Sequence, residues 1–142
     1  MNLRVVIDSS TLVSAALRPD SIPDQVLNRA ILFNHLFTST DTLSELERVL
    51  AQKKFDRYIS RDLRVDFLRK LRRDSILCML TSSMLEQTVG ICRDRRDNKF
   101  LALCLAANAD VLVSSDRDLL VLHPWNGIPV LTPAQFLAES EK

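Results

Sequence analysis

The sequence predicts a three-layer α/β/α fold, with helices on both faces of a central, mostly parallel five-stranded sheet. Three observations carry this prediction. The candidate strands are unbroken apolar runs rather than inside–outside alternations, the pattern of strands covered on both faces. They alternate along the chain with segments whose apolar residues recur every three or four positions. At 142 residues and 46% apolar, the chain has one domain's length and can bury a substantial core, so residues 1–142 are read as a single domain.

Taken in order, LRVVID (3–8) is β-branched and apolar throughout, a strand buried on both faces. A short helix over 10–17 is ended by the proline-containing RPDSIP, and Pro23 suits the first turn of a second helix through residue 33. HLFTS (35–39) reads as a second strand. The helix over 41–52 carries Leu43, Leu46, Val49 and Leu50 at helical spacing, with Thr40 or Asp41 as cap. Ser60 opens another amphipathic helix, with Leu63, Phe67, Leu68 and Leu71 on one face. SILCML (75–80) is a third strand, and 97–107 a helix apolar nearly all round below its first turn, hence central. ADVLVSS (109–115) and IPVLT (128–132) complete the sheet, and Pro133 starts a final helix.

Composition closes off several function classes. Net charge is +1, so a nucleic-acid footprint must be local. Only Gly90 and Gly127 occur, which excludes a glycine-rich phosphate cradle. His35 and His123 are far apart and no C-x-x-C pair exists, which argues against a His/Cys zinc site. Three cysteines, Cys78, Cys92 and Cys104, do not suggest a disulfide scaffold and fit a reducing cytoplasm. The N-terminal apolar run is too short for a signal peptide, and no segment reaches membrane-spanning length.

Ligands in parallel sheets bind beyond the carboxyl ends of the strands, where strand order reverses. Asp8 follows the first strand, Asp116 the fourth with Asp118 two residues on, Asp97 opens the central helix, and Glu45 lies one turn into the helix after strand two. All these ends lie on one side of the sheet. Carboxylates gathered there repel one another and raise their own pKa values unless a cation neutralises them. Oxygen ligands alone favour Mg²⁺ or Mn²⁺. Each acid also has a structural reading: Asp8 as a helix cap, Asp97 as a partner of its helix dipole, Asp116 as the cap of a turn before DLL, and Glu45 as a solvated helix residue.

The ordered set VIDSSTLVSAAL (6–17), TLSELERVL (42–50), CRDRRDNKFLALCLAANAD (92–110), VLVSSDRDLLVL (111–122) and IPVLTPAQFL (128–137) resembles the PIN domain family, in particular its bacterial VapC-like group of toxins from toxin–antitoxin systems. The resemblance runs nearly end to end. It implies a metal-dependent ribonuclease, commonly a homodimer, with a small antitoxin protein as partner. It also implies metal ligands at Asp8, Glu45, Asp97 and Asp116, with Asp118 as an accessory acid. Two positions depart from the group's pattern: Ser10 stands where Asn is usual, and Arg95-Arg96 where Pro-Asp is usual.

The reaction implied is two-metal phosphodiester hydrolysis, one ion generating hydroxide and the other stabilising the leaving oxygen, roughly 3.5–4 Å apart. Asp8, Asp97 and Asp116 would be inner ligands, and Glu45 a ligand or an orienter of the water. Ser9, Ser10, Ser114 and Ser115 would support them, and Arg93, Arg95, Arg96, Lys99 and Arg117 would hold the phosphates of an RNA strand. The basic stretch 69–74 reads as a solvated helix face. A haloacid dehalogenase-type phosphatase also begins with Asp after its first strand, but needs Asp where Ser10 stands and Thr where Leu12 stands. A catalytically degenerate module binding RNA or protein is the alternative that Ser10 keeps open.

Overall fold

In the computed structural model, which describes residues 2–140, five parallel strands form one sheet in the order β3-β2-β1-β4-β5. They are β1 (Arg4–Ile7), β2 (His35–Ser39), β3 (Ile76–Cys78), β4 (Val111–Val113) and β5 (Val130–Leu131). Register is set by Val5 opposite Leu36 and Val111, and by Ile7 opposite Val113. The order reverses between β1 and β4, so the crevice at their carboxyl ends is the switch point of the sheet. The sheet is parallel throughout, where the sequence required only that it be mostly so.

Alternation along β1 supplies both faces. Val5 and Ile7 pack with α1 (Ser9–Leu17), α2 (Ile22–Phe33), α3 (Thr40–Leu50), α4 (Arg61–Asp74) and α8 (Pro133–Ser140). Val6 faces the other way, onto α6 (Asn98–Ala107) and Leu119 of the short α7 (Arg117–Leu120). Phe100, Leu101, Ala102, Leu103, Cys104 and Ala107 of α6 are all buried, as the all-round apolar character predicts. Its far end is fixed by Asn108 in the left-handed region, φ 51°, and by Arg4 Nε, which donates to the Ala107 carbonyl at 2.6 Å.

Three features differ from the sequence reading. β3 is an edge strand of three residues, with Ile76 and Leu77 exposed, not a six-residue buried run. The short helices α5 (Ser82–Gln87) and α7 span fewer than two turns, too few to display a period. On α4, Leu68 and Leu71 are buried but Leu63 is exposed, and the buried residue of that turn is Arg64. The cause is hydrogen bonding. Arg64 Nη1 donates to the carbonyls of Leu50 and Gln52 at 2.8 and 2.9 Å, and Nη2 to the Asp56 carboxylate. The guanidinium thus closes the C-terminal end of α3, the helix that carries Glu45, by satisfying carbonyls the helix cannot pair itself.

Arg64→Met, which keeps the aliphatic stem, is therefore expected to destabilise the protein by about 2–4 kcal/mol, because it strands buried carbonyls. Leu63→Ala, although it removes an apolar side chain, should stay within about 1 kcal/mol. Urea unfolding of both variants checks this; equal midpoints would show that the guanidinium does not hold the end of α3.

Candidate metal centre

Asp8 is placed by the sheet. Its amide donates to the Val113 carbonyl at 3.0 Å, extending the β1–β4 ladder by one residue, and the chain then turns into α1. The side chain caps that helix, accepting from the Thr11 amide at 3.0 Å. It also accepts from Ser10 Oγ at 3.0 Å and from Ser114 Oγ at 2.6 Å. Asp8 is 2% exposed. Burial pushes its carboxyl above the ordinary value, and hydrogen bonds from Ser114, Thr11 and Ser10 oppose that rise. Ser10 thus supplies a hydrogen-bond donor to the first acid.

Ser114, at the end of β4, is the hinge between two acids. Its hydroxyl donates to Asp8 and accepts from the Asp116 amide at 2.9 Å. Asp116 in turn caps α7, its Oδ1 accepting from the Asp118 amide at 2.9 Å. Both carboxylates therefore project from a turn whose backbone is tied to the sheet.

Asp97 arrives differently. A 3₁₀ turn, Arg95–Asp97, leads into α6, and Asp97 occupies the cap position with helical backbone angles and no capping hydrogen bond from its side chain. Its carboxylate is free of the helix backbone and faces the other acids. One oxygen each of Asp97, Asp116 and Asp118 lies within 4.8 Å of the others, the one such trio of His, Cys, Asp or Glu among the described residues. Burial, then a side-chain hydrogen bond with Asp116 and the charges of Asp116, Asp94 and Asp8, push the Asp97 carboxyl up to about 8. Gathered carboxyls of this kind resist losing their protons together. The donor set fits a hard divalent ion: three carboxylates, half-buried, and no competing His.

The other residues singled out in the sequence are distributed around this trio. Asp8 stands behind it, joined through Ser114. Glu45, on the first turns of α3, forms an ion pair with Lys99 of α6, both side chains less than a fifth exposed. Burial pulls the Lys99 ammonium below its ordinary value, against the field of Asp41. Lys99 therefore points inward, unlike the remaining cations. Arg93, Arg95, Arg96 and Arg117 are exposed. Arg93, Arg95 and Arg96 line an open depression of about 690 Å³ together with Asp94 and Asp118. The Arg96 guanidinium is held by Asp94 through two hydrogen bonds, at 3.0 and 3.2 Å, and its amide donates to the same carboxylate at 3.0 Å. Ser9 Oγ is buried without a partner, and Ser115 is exposed. Residues 69–74 present Arg69, Lys70, Arg72 and Arg73 to solvent, as a solvated face should.

Three supporting residues escaped the sequence reading. Thr11 gives its amide to Asp8. Asn98 Oδ1 accepts from the Cys92 amide at 2.9 Å, and Cys92 Sγ lies 3.4 Å from the Asp118 carbonyl and 3.9 Å from Asp97 Oδ2. These two bind the segment before α6 to the turn after β4. Asn98 carried a usable signal, a polar residue at the mouth of a buried helix. Cys92 carried none.

The chain is similar to known proteins in sequence and in fold. A family model described as PIN domain matches residues 4–118. An uncharacterised protein of Methanocaldococcus jannaschii is 27% identical across 100% of this chain and 94% of its own length. Among solved structures, VapBC2 from Rickettsia felis bound to a DNA fragment from its promoter has a TM-score of 0.67 at 13% identity, covering 92% of this chain and 98% of that one. VapC20 from Mycobacterium tuberculosis, a sarcin–ricin loop cleaving toxin, has a TM-score of 0.55 at 15% identity, covering 80% and 91%. The structural likenesses establish a shared fold, and the relatives are archaeal as well as bacterial, so a bacterial branch is not singled out. The family match spans most of the chain, including every acid of the centre, and on it this chain belongs to the PIN domain family.

Proposed function

We propose that the protein is a divalent-metal-dependent endoribonuclease and the toxin component of a toxin–antitoxin pair. The observation that carries the nuclease reading is the Asp97–Asp116–Asp118 trio, set at the switch point of the sheet with one carboxyl driven to about 8. Such a site is electrostatically incomplete without Mg²⁺ or Mn²⁺. The likeness to a sarcin–ricin loop cleaving toxin favours RNA as substrate, and the pairing of such toxins favours a small antitoxin as partner. A cytoplasmic homodimer is part of the same reading. Among the described residues no helix is long and apolar enough to cross a membrane.

Each group has a task in this scheme. Asp97, Asp116 and Asp118 hold the cation. A bound ion of this kind supplies a nucleophilic hydroxide near neutral pH and screens charge on the departing oxygen. Asp8, buried and accepting from Ser10, Thr11 and Ser114, fixes Ser114 and with it the turn bearing Asp116. Arg93, Arg95 and Arg117 face solvent beside the trio, where guanidinium groups can take backbone phosphates. Arg96 is partly neutralised by Asp94.

Mn²⁺ at a hundred-fold excess over its Kd should stabilise the fold by about 2.7 kcal/mol, read as a raised Tm relative to EDTA. Asp97→Asn and Asp116→Asn should remove both that shift and RNA cleavage while leaving the circular dichroism spectrum unchanged. Retained cleavage in both variants would refute the assignment of the trio.

Stability in EDTA should depend on pH through Asp97. Its folded pKa, about 8, exceeds the ordinary value of 3.8, so the native chain keeps a proton that the unfolded chain releases. That contribution is complete below the ordinary value and is lost as pH rises through about 8. Tm in EDTA is expected to fall between pH 6 and 8.5, and Asp97→Asn to flatten this part of the decline. Parallel wild-type and variant profiles would contradict the raised carboxyl.

For RNA binding, removing one arginine–phosphate interaction with a single strand should lower the slope of log K against log salt by about 0.7. Arg95→Ala is expected to show the larger reduction and Arg96→Ala the smaller, since Arg96 is already engaged by Asp94. Titration of a short single-stranded RNA at several salt concentrations in Ca²⁺ measures this. Unchanged slopes in both variants, and in the double variant, would make this stretch ordinary surface charge.

A further inference from the structure

The sequence assigned Glu45 to the metal and Lys99 to phosphate. The structure joins them to each other, which bears on how many ions the centre can take. Glu45 lies on α3 and Lys99 on the first turn of α6, two residues beyond Asp97. Their side chains meet as an ion pair, 17% and 18% exposed. An ammonium so placed cannot swing out to solvent without leaving a half-buried carboxylate unpaired, and the rigid helix fixes where its stem begins. Glu45 is also absent from the trio whose oxygens approach within 4.8 Å.

We propose that Lys99 is a tethered cation that occupies Glu45, so that the centre binds a single divalent ion through its aspartates and Glu45 is not among the ligands. The proposal rests on the metal-centre reading above and refines it. A second dication would need a second set of oxygen ligands. The acids flanking the trio already have partners: Asp94 has Arg96, Asp8 has Ser10, Thr11 and Ser114, and Glu45 has Lys99. A dication approaching Glu45 would also meet the ammonium at close range, in a partly desolvated setting where like charges repel more strongly than in water. Lys99 then stands as the second positive charge beside the acids, covalently supplied. It is a positioning residue that sets ion number, and its effect is visible without turnover.

Mn²⁺ binding to the metal-free full-length chain tests this, by calorimetry and by the electron paramagnetic resonance signal of unbound Mn²⁺, at pH 8.5. The wild type is expected to bind one ion per chain. Glu45→Gln should retain that ion with affinity within about threefold, whereas loss of a true ligand costs about tenfold or more. Lys99→Met keeps the stem but frees Glu45, and should either add a second ion or tighten the first by about tenfold. Lys99→Arg, which preserves the pair, should behave as wild type. Two ions on the wild type, or a loss of about tenfold or more in Glu45→Gln, would overturn the proposal while leaving the metal centre standing. So would a Lys99→Met variant with the wild-type circular dichroism spectrum and unchanged stoichiometry and affinity. A wild-type chain that binds no Mn²⁺ would overturn the metal-centre reading and this proposal with it.

Discussion

The hydroxyl of Ser114 is the group on which the site depends. It has one proton to give and gives it to Asp8, at 2.6 Å, while a lone pair accepts from the Asp116 amide. Parallel pairing of Ile7 with Val113 brings the ends of β1 and β4 side by side, so the residues that follow, Asp8 and Ser114, are neighbours by register. A carboxylate 2% exposed is tolerable only when its oxygens are paired. Ser10, Thr11 and Ser114 meet that demand, and in doing so they tie the turn after β4 to the start of α1. The geometry of the acids is thereby inherited from the sheet.

The acids divide according to whether the backbone employs them. Asp8 caps α1 and Asp116 caps α7, so each is anchored by an amide of the helix it precedes. Asp97 sits at an equivalent position before α6 and accepts no such bond. Released from capping, its carboxyl responds to burial and to its acidic neighbours, and rises to about 8. One helix start lacking its usual side-chain cap thus leaves a carboxyl free to respond to the two aspartates beside it. The helix end forgoes a capping bond typically worth about 1 kcal/mol.

Much of this was legible in the sequence because parallel strands buried on both faces must be continuously apolar, and VVI and VLV are. The same rule misled at residues 75–80. An apolar run there reads as a strand covered on both faces, but β3 is at the edge, where Ile76, Leu77 and Met79 remain exposed; strand order is set by tertiary packing that no local pattern records. Arg64 shows a related limit. Helical spacing assigns Leu63 to the core, but the carbonyls that draw Arg64 inward belong to Leu50 and Gln52, residues of another element. Placing Asp8, Asp97 and Asp116 at one edge of the sheet needed only strand ends and one helix start. Placing Lys99 needed knowledge of α3 packed across α6, so a stretch read as a uniform set of cations resolves into outward arginines and one inward lysine.

The abrupt change from RDRRDNK to FLALCLA has its physical basis in that division. Each fully buried Phe or Leu below the boundary contributes about 1.5–3 kcal/mol by leaving water. A pair of carboxylates at the spacing of the trio repels by about 3–4 kcal/mol at an effective dielectric near 20. Phe100, Leu101 and Leu103 can therefore hold α6 against one such ionised pair, but not comfortably against three. Protonation of Asp97 removes two of the three repulsions at once, because Asp97 belongs to two of the pairs. A divalent ion removes all of them and converts repulsion into ligation. The buried helix and the charged rim thus work together: apolar anchorage keeps the acids gathered against the repulsion that their closeness creates.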